Sequence, residues 1–220
     1  MLKDRQTSSA AGIPSYVSFD ETIKMLFMFI DMYLPDFISF YHTQGNPKRE
    51  NRITELIVVY FHYCNDGIWP FFFEKNPTQL SGGRETDIGI FSNDKEDAPL
   101  LPIFEFEAKK LSSTSANKEY VCGERGGMER FKRQIHSPHL PHCGMLGYVL
   151  CKDLNHWTAQ INTWITNLAN QSPVDGLDWQ GDDELLQPVE TNGAIAKLVS
   201  KNKRLSSPDI IMLHYLIDLQ

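Results

Sequence analysis

Residues 81–111, SGGRETDIGIFSNDKEDAPLLPIFEFEAKKL, carry the pattern from which the rest of the chain is interpreted. Two apolar runs, Asp87–Phe91 and Leu101–Ala108, flank a polar segment, and this predicts two β-strands joined by a turn. Because successive side chains of a strand point to opposite faces, Glu107 and Lys109 are expected on one face of the second strand. Charged groups on an otherwise apolar strand must pair or bind a cation if they are buried.

The same alternation gives the second strand two chemically different faces. Phe104, Phe106 and Ala108 belong to the apolar face, while Glu105 joins the charged one. Asp87 opens the neighbouring strand and could add a further carboxylate to the charged group. Closely placed carboxylates repel each other, and a divalent cation relieves that repulsion. The stretch therefore predicts a metal site.

These residues also carry a family resemblance. Asp87 and the later Glu107-Ala108-Lys109 resemble the D…ExK motif of the PD-(D/E)XK, or restriction-endonuclease-like, nuclease superfamily. The resemblance spans about residues 50–150, and Thr86 stands where the name of the motif has proline. It implies an α/β fold with a restriction-endonuclease-like core, a mixed central β-sheet flanked by helices, preceded here by an N-terminal helical extension. The alternative is a surface hairpin with a solvated Glu-Lys pair.

The resemblance also implies roles for the motif residues. Asp87, Glu107 and the backbone carbonyl of Ala108 would hold Mg²⁺, with Mn²⁺ as an alternative ion. Such a sparse set suits Mg²⁺, which is usually bound by one or two carboxylates together with waters and substrate phosphates. Lys109 would orient a metal-bound water or stabilise developing charge, and Glu50, from the helix before the core strands, is the candidate for a further catalytic carboxylate.

The choice of Glu50 depends on the helix predicted from about residue 48 to residue 64. Glu50 lies on the same helical face as the apolar Ile53 and Ile57, whereas Glu55 points toward solvent and is the fallback. The alternative for Glu50 is that it is only a favourable acid in the first turn of a helix.

A glycine-rich approach to Asp87 and a basic helix supply candidate contacts to nucleic acid. The helix is expected to begin properly near Gly127 and to end near Ile135. Phosphate contacts position a nucleic acid without reading its sequence. By the resemblance, the candidate contacts on the helix are Arg130, Arg133 and Gln134, with a solvated helix face as the alternative. Arg84, beside the glycines, could also contact a phosphate, and a tight turn is the alternative there.

Three histidines and a cysteine, His136, His139, His142 and Cys143, offer ligand types that zinc accepts. Two prolines force an extended path between them, and no second ligand cluster lies at a familiar spacing. We therefore interpret them as loop residues.

The chain has 220 residues, of which 41% are hydrophobic, and this is enough for one sizeable core. We expect residues 1–15 to be a flexible N-terminus and residues 16–220 to form a single nuclease-like domain. Within it, residues 16–47 should form the helical extension, residues 48–170 the core, and residues 171–220 an acidic loop and a C-terminal element.

Charge and cysteine content restrict the class of protein. The net charge of −7 is unusual for a protein that grips a polyanion, although nucleic-acid binders are often basic only locally. The four cysteines form no CxxC pair and predict no disulfide framework, which favours a cytoplasmic location. The most apolar segment, Ile23–Tyr41, is interrupted by charges and proline well before the length that a membrane span needs, so no membrane association is expected.

Periodicity and turn signals predict the remaining elements. A first helix, capped by Ser18 or Asp20, should end near Tyr33, and a second short helix, Asp36–His42, should follow Pro35. Residues 170–192 are expected to be irregular. Further expected elements are strands at residues 68–74, 144–151 and 209–219 and a helix at residues 157–168.

The residues and the resemblance together predict a metal-dependent nuclease that hydrolyses phosphodiester bonds, with DNA favoured over RNA. Restriction or phage defence in bacteria is the setting that such small nucleases suggest. A homodimer or a complex with a partner protein is compatible with this activity. The alternative is a nuclease-like module that binds nucleic acid or takes part in assembly without turnover; the intact Asp87, Glu107 and Lys109 set argues against it.

Overall fold

The computed structural model of the chain describes residues 20–77, 85–93, 101–112, 117–123 and 126–220. The expected flexible segment, residues 1–15, the alternative helix cap Ser18 and the candidate phosphate contact Arg84 lie outside the described residues.

One mixed β-sheet forms the centre of the described structure. Its strands, in chain order, are β1 (Phe71–Lys75), β2 (Ile88–Ser92), β3 (Phe104–Leu111), β4 (His142–Val149), β5 (Gln187–Asn192), β6 (Ile195–Asn202) and β7 (Ile210–Asp218). Their order across the sheet is β1-β2-β3-β4-β7-β6-β5. Strand β4 runs parallel to both β3 and β7, and all other neighbouring strands pair antiparallel.

Helices cover both faces of this sheet. One face carries α1 (Glu21–Thr43) and α2 (Glu50–Asn65), and the other carries α3 (Gly127–Lys132) and α4 (Leu154–Ala169). A 3₁₀ helix, Asn117–Tyr120, lies between β3 and α3 in the chain. The expectation of an α/β protein with a mixed central sheet flanked by helices is confirmed. None of the described helices combines the length and the apolar character that crossing a bilayer requires.

Successive side chains of strand β3 point alternately into two different apolar cores. Phe104, Phe106 and Ala108 are buried in the core that includes α1 and α2, and Leu111 is buried in the core beneath α3 and α4. Glu107 and Lys109 lie on this second side, where only 1% and 8% of their surfaces are exposed. The Glu-Lys pair is therefore buried inside the fold, and a solvated surface hairpin does not describe it.

Helix α1 differs from its prediction because it continues through Pro35. Proline removes one backbone hydrogen bond and crowds the preceding turn, so a break was expected there. Leu34 and Phe37, on either side of the proline, are almost completely buried in the apolar core of α1 and α2. Burial of this apolar face outweighs the local cost and keeps one helix in place of two. The expected cap is present, since the Asp20 side chain accepts a hydrogen bond of 2.8 Å from the Ile23 N–H.

The prediction of an irregular segment at residues 170–192 was wrong at its end, where β5 forms a hairpin with β6. The side chains of β5 are mostly exposed, so no apolar alternation marks the strand. The signal that was overlooked is Gly193, the first residue of the two-residue loop Gly193-Ala194, where a type II′ hairpin turn has glycine. Gly193 adopts φ of +57°, as such a turn requires. The C-terminal run at residues 209–219 is the strand β7, as predicted.

Helix α3 begins at Gly127 as predicted and ends at Lys132, earlier than expected. Gln134 takes a left-handed φ of +61°, which stops the helix before Ile135. The predicted aromatic strand at residues 68–74 likewise begins later, at Phe71, immediately after Pro70, and it lies at the edge of the described sheet.

The acidic segment is anchored to α3 by a buried ion pair between Lys132 and Glu184, neither of which is exposed. The Lys132 ammonium also lies 4.5 Å from the centre of the Trp179 ring. Glu184 accepts further hydrogen bonds of 3.0 Å from the N–H groups of Gln180 and Lys203. Burial lowers the pKa of Lys132 and raises that of Glu184, and their mutual attraction opposes both shifts. The pair fixes α3 in the fold.

The closest packing between β4 and β3 provides a test of the sheet. A Cβ atom at Gly144 would lie 2.1 Å from the Phe106 ring, which is buried. We expect Gly144→Ala to lower the free energy of unfolding by about 1–3 kcal/mol, because the rings cannot retreat within a filled core. Gly181→Ala is the control, since its Cβ would meet nothing closer than 3.9 Å. Equal stability of both variants in chemical denaturation would contradict the packing of this strand pair.

Candidate active site

Pairing of β2 with β3 brings Asp87 and Glu107 together. Ile88 lies opposite Phe106, so the next pair outward is Asp87 and Glu107, with both side chains on the same face. The Asp87 carboxylate is held in place because its Oδ2 accepts a hydrogen bond of 2.7 Å from the Ala108 N–H. The motif residues that are distant in sequence therefore meet at one end of the strand pair.

Glu107 is the centre of this group. Its Oε1 accepts hydrogen bonds from Lys109 Nζ at 2.8 Å and from Arg130 Nη1 at 2.9 Å. Its Oε2 is buried and lies 3.4 Å from His136 Nε2, and within the described residues no group donates a hydrogen bond to it. Oε1 thus accepts hydrogen bonds from two cations, and Oε2 can still accept one.

The electrostatics of Asp87 and Lys109 follow from this crowding. Burial and then the nearby charge of Glu107 raise the pKa of Asp87 to about 6, against the opposing effect of Lys109. For Lys109, burial works to lower the pKa, but the carboxylates of Glu107, Glu50 and Asp87 outweigh it and the pKa is raised. Lys109 therefore remains a charged ammonium, while Asp87 is destabilised in its ionised form.

Glu50, rather than Glu55, lies beside the group. It is the first residue of α2, and its Oε2 accepts a hydrogen bond of 2.6 Å from the Lys110 N–H. Burial raises the pKa of Glu50, and Lys109 opposes that shift. Glu55 instead forms a half-exposed ion pair of 2.8 Å with Arg52. Glu50 therefore contributes its charge to the site and fixes the backbone just after the motif lysine.

Glu105 has a different environment from Glu107, although both lie on the same face of β3. Its Oε1 accepts a hydrogen bond of 2.9 Å from the Thr86 hydroxyl, and its Oε2 accepts one from the Ser137 hydroxyl. Thr86, the residue that replaces the motif proline, is therefore a hydrogen-bond donor to Glu105. Both carboxylate oxygens of Glu105 are already hydrogen-bonded, which makes it a structural acid in this arrangement.

His136 belongs to the site, and the sequence did not indicate this. The residue is fully buried, its ring packs edge-on against Phe131, and its Nε2 lies 3.3 Å from Arg130 Nη1. The histidine-rich run was interpreted as a loop because spacing alone does not show which histidine turns inward. His139 points elsewhere, with Nε2 3.2 Å from the Pro102 carbonyl, and His142 begins β4.

The candidate nucleic-acid contacts on α3 and just after it have different partners in the structure. Arg130 reaches Glu107 and is part of the site. Arg133 forms an ion pair of 2.6 Å with Glu129, one helical turn earlier, and Gln134 Oε1 accepts a hydrogen bond of 2.7 Å from Ser206. Neither Arg133 nor Gln134 is brought to Glu107 by these contacts.

Helix α3 approaches Glu107 very closely where it begins. A Cβ atom at Gly127 would lie 2.3 Å from Met145 Cε and 3.3 Å from Glu107 Cγ. A side chain here would displace the end of the Met145 side chain and crowd Glu107 Cγ. Glycine therefore favours the close approach of the first turn of α3, and with it Arg130, to the buried carboxylate.

The donor set of Asp87 and Glu107 fits Mg²⁺ better than a metal that needs a complete protein cage. Within the residues that the structure describes, no group of three or more His, Cys, Asp or Glu side chains is arranged to hold a metal ion. Mg²⁺ is usually bound by one or two carboxylates, with waters and substrate phosphates completing its shell. Asp87, Glu107 Oε2 and the Ala108 carbonyl are the groups that would hold it.

Comparisons with known proteins leave this site to be interpreted from its own chemistry: no protein-family model matches the sequence, and neither a curated protein nor a solved structure gives a significant match.

The unfavourable burial of the Asp87 charge has a measurable consequence for stability. In EDTA at pH 8, Asp87→Asn should raise the free energy of unfolding by on the order of 1–2 kcal/mol, because a buried charge beside Glu107 is removed while an amide oxygen can still accept from Ala108. At pH 4 the gain should be small, since Asp87 there already carries its proton in the folded protein.

Asp182→Asn is the control for this measurement, because Asp182 is exposed and its replacement should change stability by less than about 0.5 kcal/mol. A loss of stability in Asp87→Asn at pH 8 would show that the carboxylate is favourably bound in the metal-free protein, against this account.

Proposed function

We propose that the protein is a Mg²⁺-dependent nuclease of the PD-(D/E)XK type, acting on phosphodiester bonds of nucleic acid, with DNA favoured over RNA. The observation that carries the proposal is the meeting of Asp87 and Glu107 across β2 and β3, with Lys109 Nζ 2.8 Å from Glu107 Oε1. Two buried carboxylates and an ammonium in this arrangement are costly for folding alone. Metal-assisted hydrolysis gives these groups a chemical use.

The order of elements agrees with the restriction-endonuclease-like core that the motif resembles. Helix α2 precedes the antiparallel strands β1, β2 and β3, and α3 leads on to β4, which is parallel to β3. The motif acid and lysine lie on β3, inside the sheet, where neighbouring strands on both sides hold their positions. This supports a rigid site carried on strands.

Each residue of the site has a distinct proposed task. A bound Mg²⁺ would polarise the phosphodiester and make a water more acidic. Asp87, Glu107 and the Ala108 carbonyl would hold the ion. Lys109 would act as a charged hydrogen-bond donor that orients the attacking water or stabilises charge on the phosphate, since a lysine with a raised pKa is a poor proton acceptor. Glu50 would keep Lys109 charged and fix the strand behind it.

Cleavage of labelled DNA and RNA, single- and double-stranded, in Mg²⁺, Mn²⁺ or EDTA tests the proposal. We expect metal-dependent cleavage of DNA, reduced by roughly a hundredfold or more in Glu107→Gln and in Lys109→Met. Lys110→Met is the matched control for the lysine, because Lys110 is the next residue of β3 and is exposed on the other side. It should keep its activity.

Folding of each variant is checked by circular dichroism, since Glu107→Gln leaves Lys109 and Arg130 without their main anionic partner. Equal loss in Lys109→Met and Lys110→Met would contradict the assigned role of Lys109. Nucleic-acid binding that EDTA does not change, with no cleavage by the wild-type protein, would favour the non-catalytic module instead.

A further inference from the structure

Arg130 supplies a positive charge beside Glu107, the proposed metal ligand. Its Nη1 lies 2.9 Å from Glu107 Oε1, the oxygen that also accepts from Lys109, and only 13% of its side chain is exposed. Because both cations lie on one carboxylate oxygen, the charge of Glu107 is compensated by the protein's own side chains in the metal-free protein. A charge-assisted pair of this kind, shielded from water, is much stronger than a surface ion pair.

A divalent cation held by Asp87 and Glu107 would change this balance. It would place a third positive centre at a carboxylate that already holds Lys109 and Arg130, and like charges in a buried site disfavour one another. Lys109 is the less able to leave, because it lies on β3 itself, two residues from Glu107, and only 10% of its side chain is exposed. Arg130 approaches from a separate element, α3, and is the cation that can withdraw.

The helix itself does not need to move for Arg130 to withdraw. Lys132, two residues on, is fixed by its buried pair with Glu184, and its carbonyl accepts a hydrogen bond of 3.0 Å from the Leu205 N–H. The long arginine side chain can turn about its own bonds while its Cα stays in place. Once turned, its planar guanidinium has the donor geometry that matches a phosphate.

We propose that Arg130 is an exchangeable counter-cation: it neutralises Glu107 in the metal-free protein, gives this carboxylate up to a divalent ion, and then binds a phosphate of the substrate next to the scissile bond. The inference rests on the proposed function. Under this proposal, metal binding and substrate binding are coupled through Arg130. Binding of the ion releases the guanidinium, which is then able to bind a phosphate of the nucleic acid.

Binding of Mn²⁺, followed by electron paramagnetic resonance without nucleic acid, tests the exchange. Arg130→Met should bind Mn²⁺ on the order of tenfold more tightly than the wild-type protein, because the ion no longer competes with the guanidinium. Arg130→Lys, which keeps the charge, should stay close to the wild type. A merely structural role for Arg130 would have the opposite effect, since a loosened site binds the ion more weakly.

Arg52→Met is the matched control. It removes another arginine paired with a glutamate, Glu55, on α2, and it should leave the Mn²⁺ affinity unchanged. In cleavage assays, KM for DNA should rise on the order of tenfold in Arg130→Met and stay unchanged in Arg52→Met. Tighter metal binding together with weaker substrate binding is the expected combination.

The side-chain Nε–H resonance of Arg130 in the wild-type protein, assigned through its absence in Arg130→Lys, gives a second reading that does not depend on how Arg130→Met folds. It should shift when Mg²⁺ is added. Unchanged or weaker Mn²⁺ binding in Arg130→Met, or a resonance that Mg²⁺ does not move, overturns the exchange while a metal-binding wild type keeps the proposed function intact. An unchanged KM overturns the phosphate contact, and no metal binding by any form overturns the exchange and the proposed function together.

Discussion

The opposition of Asp87 and Glu107 across β2 and β3 is the constraint on which the rest of the structure depends. Two carboxylates are placed on the inner face of a strand pair, where burial and mutual repulsion raise the pKa of Asp87 to about 6. Lys109 from the same strand and Arg130 from α3 compensate the charge of Glu107. Without these two cations the carboxylate would be uncompensated in the core of the metal-free protein, and the position of α3 allows Arg130 to supply one of them.

The two sides of the sheet differ in the kinds of side chain that they bury. The side of α1 and α2 is packed with aromatic rings, such as Phe29 against Phe61, Phe71 and Phe73, and supplies apolar burial. The side of α3 and α4 has an apolar core of its own, and buried polar groups also lie within it. There His214 is held neutral between Tyr120 and Ser200, and burial lowers its pKa to about 3. Both faces of the sheet thus supply apolar burial, and the face of α3 and α4 also carries costly charged and polar groups.

The sequence was informative where the relevant contacts are local. Strand alternation in residues 101–111 placed Glu107 and Lys109 on one face, and helical periodicity distinguished Glu50 from Glu55. Contacts between distant segments could not be obtained in this way. The pairing of Arg130 with Glu107, and the turn of His136 toward both, depend on how close Gly127 allows α3 to approach the sheet. Strand β5 was missed because its mostly exposed side chains show no alternation of apolar and polar residues. Helix α1 was predicted to break at Pro35, but the burial of Leu34 and Phe37 keeps it continuous.

The central claim is that Asp87 and Glu107 form a divalent-metal site, and anomalous diffraction from a Mn²⁺-soaked crystal tests it most directly. The account predicts a peak between the two carboxylates and the Ala108 carbonyl, at about 2.0–2.4 Å from its oxygen ligands. An intact site without a peak, or with Mn²⁺ bound only elsewhere, would contradict it.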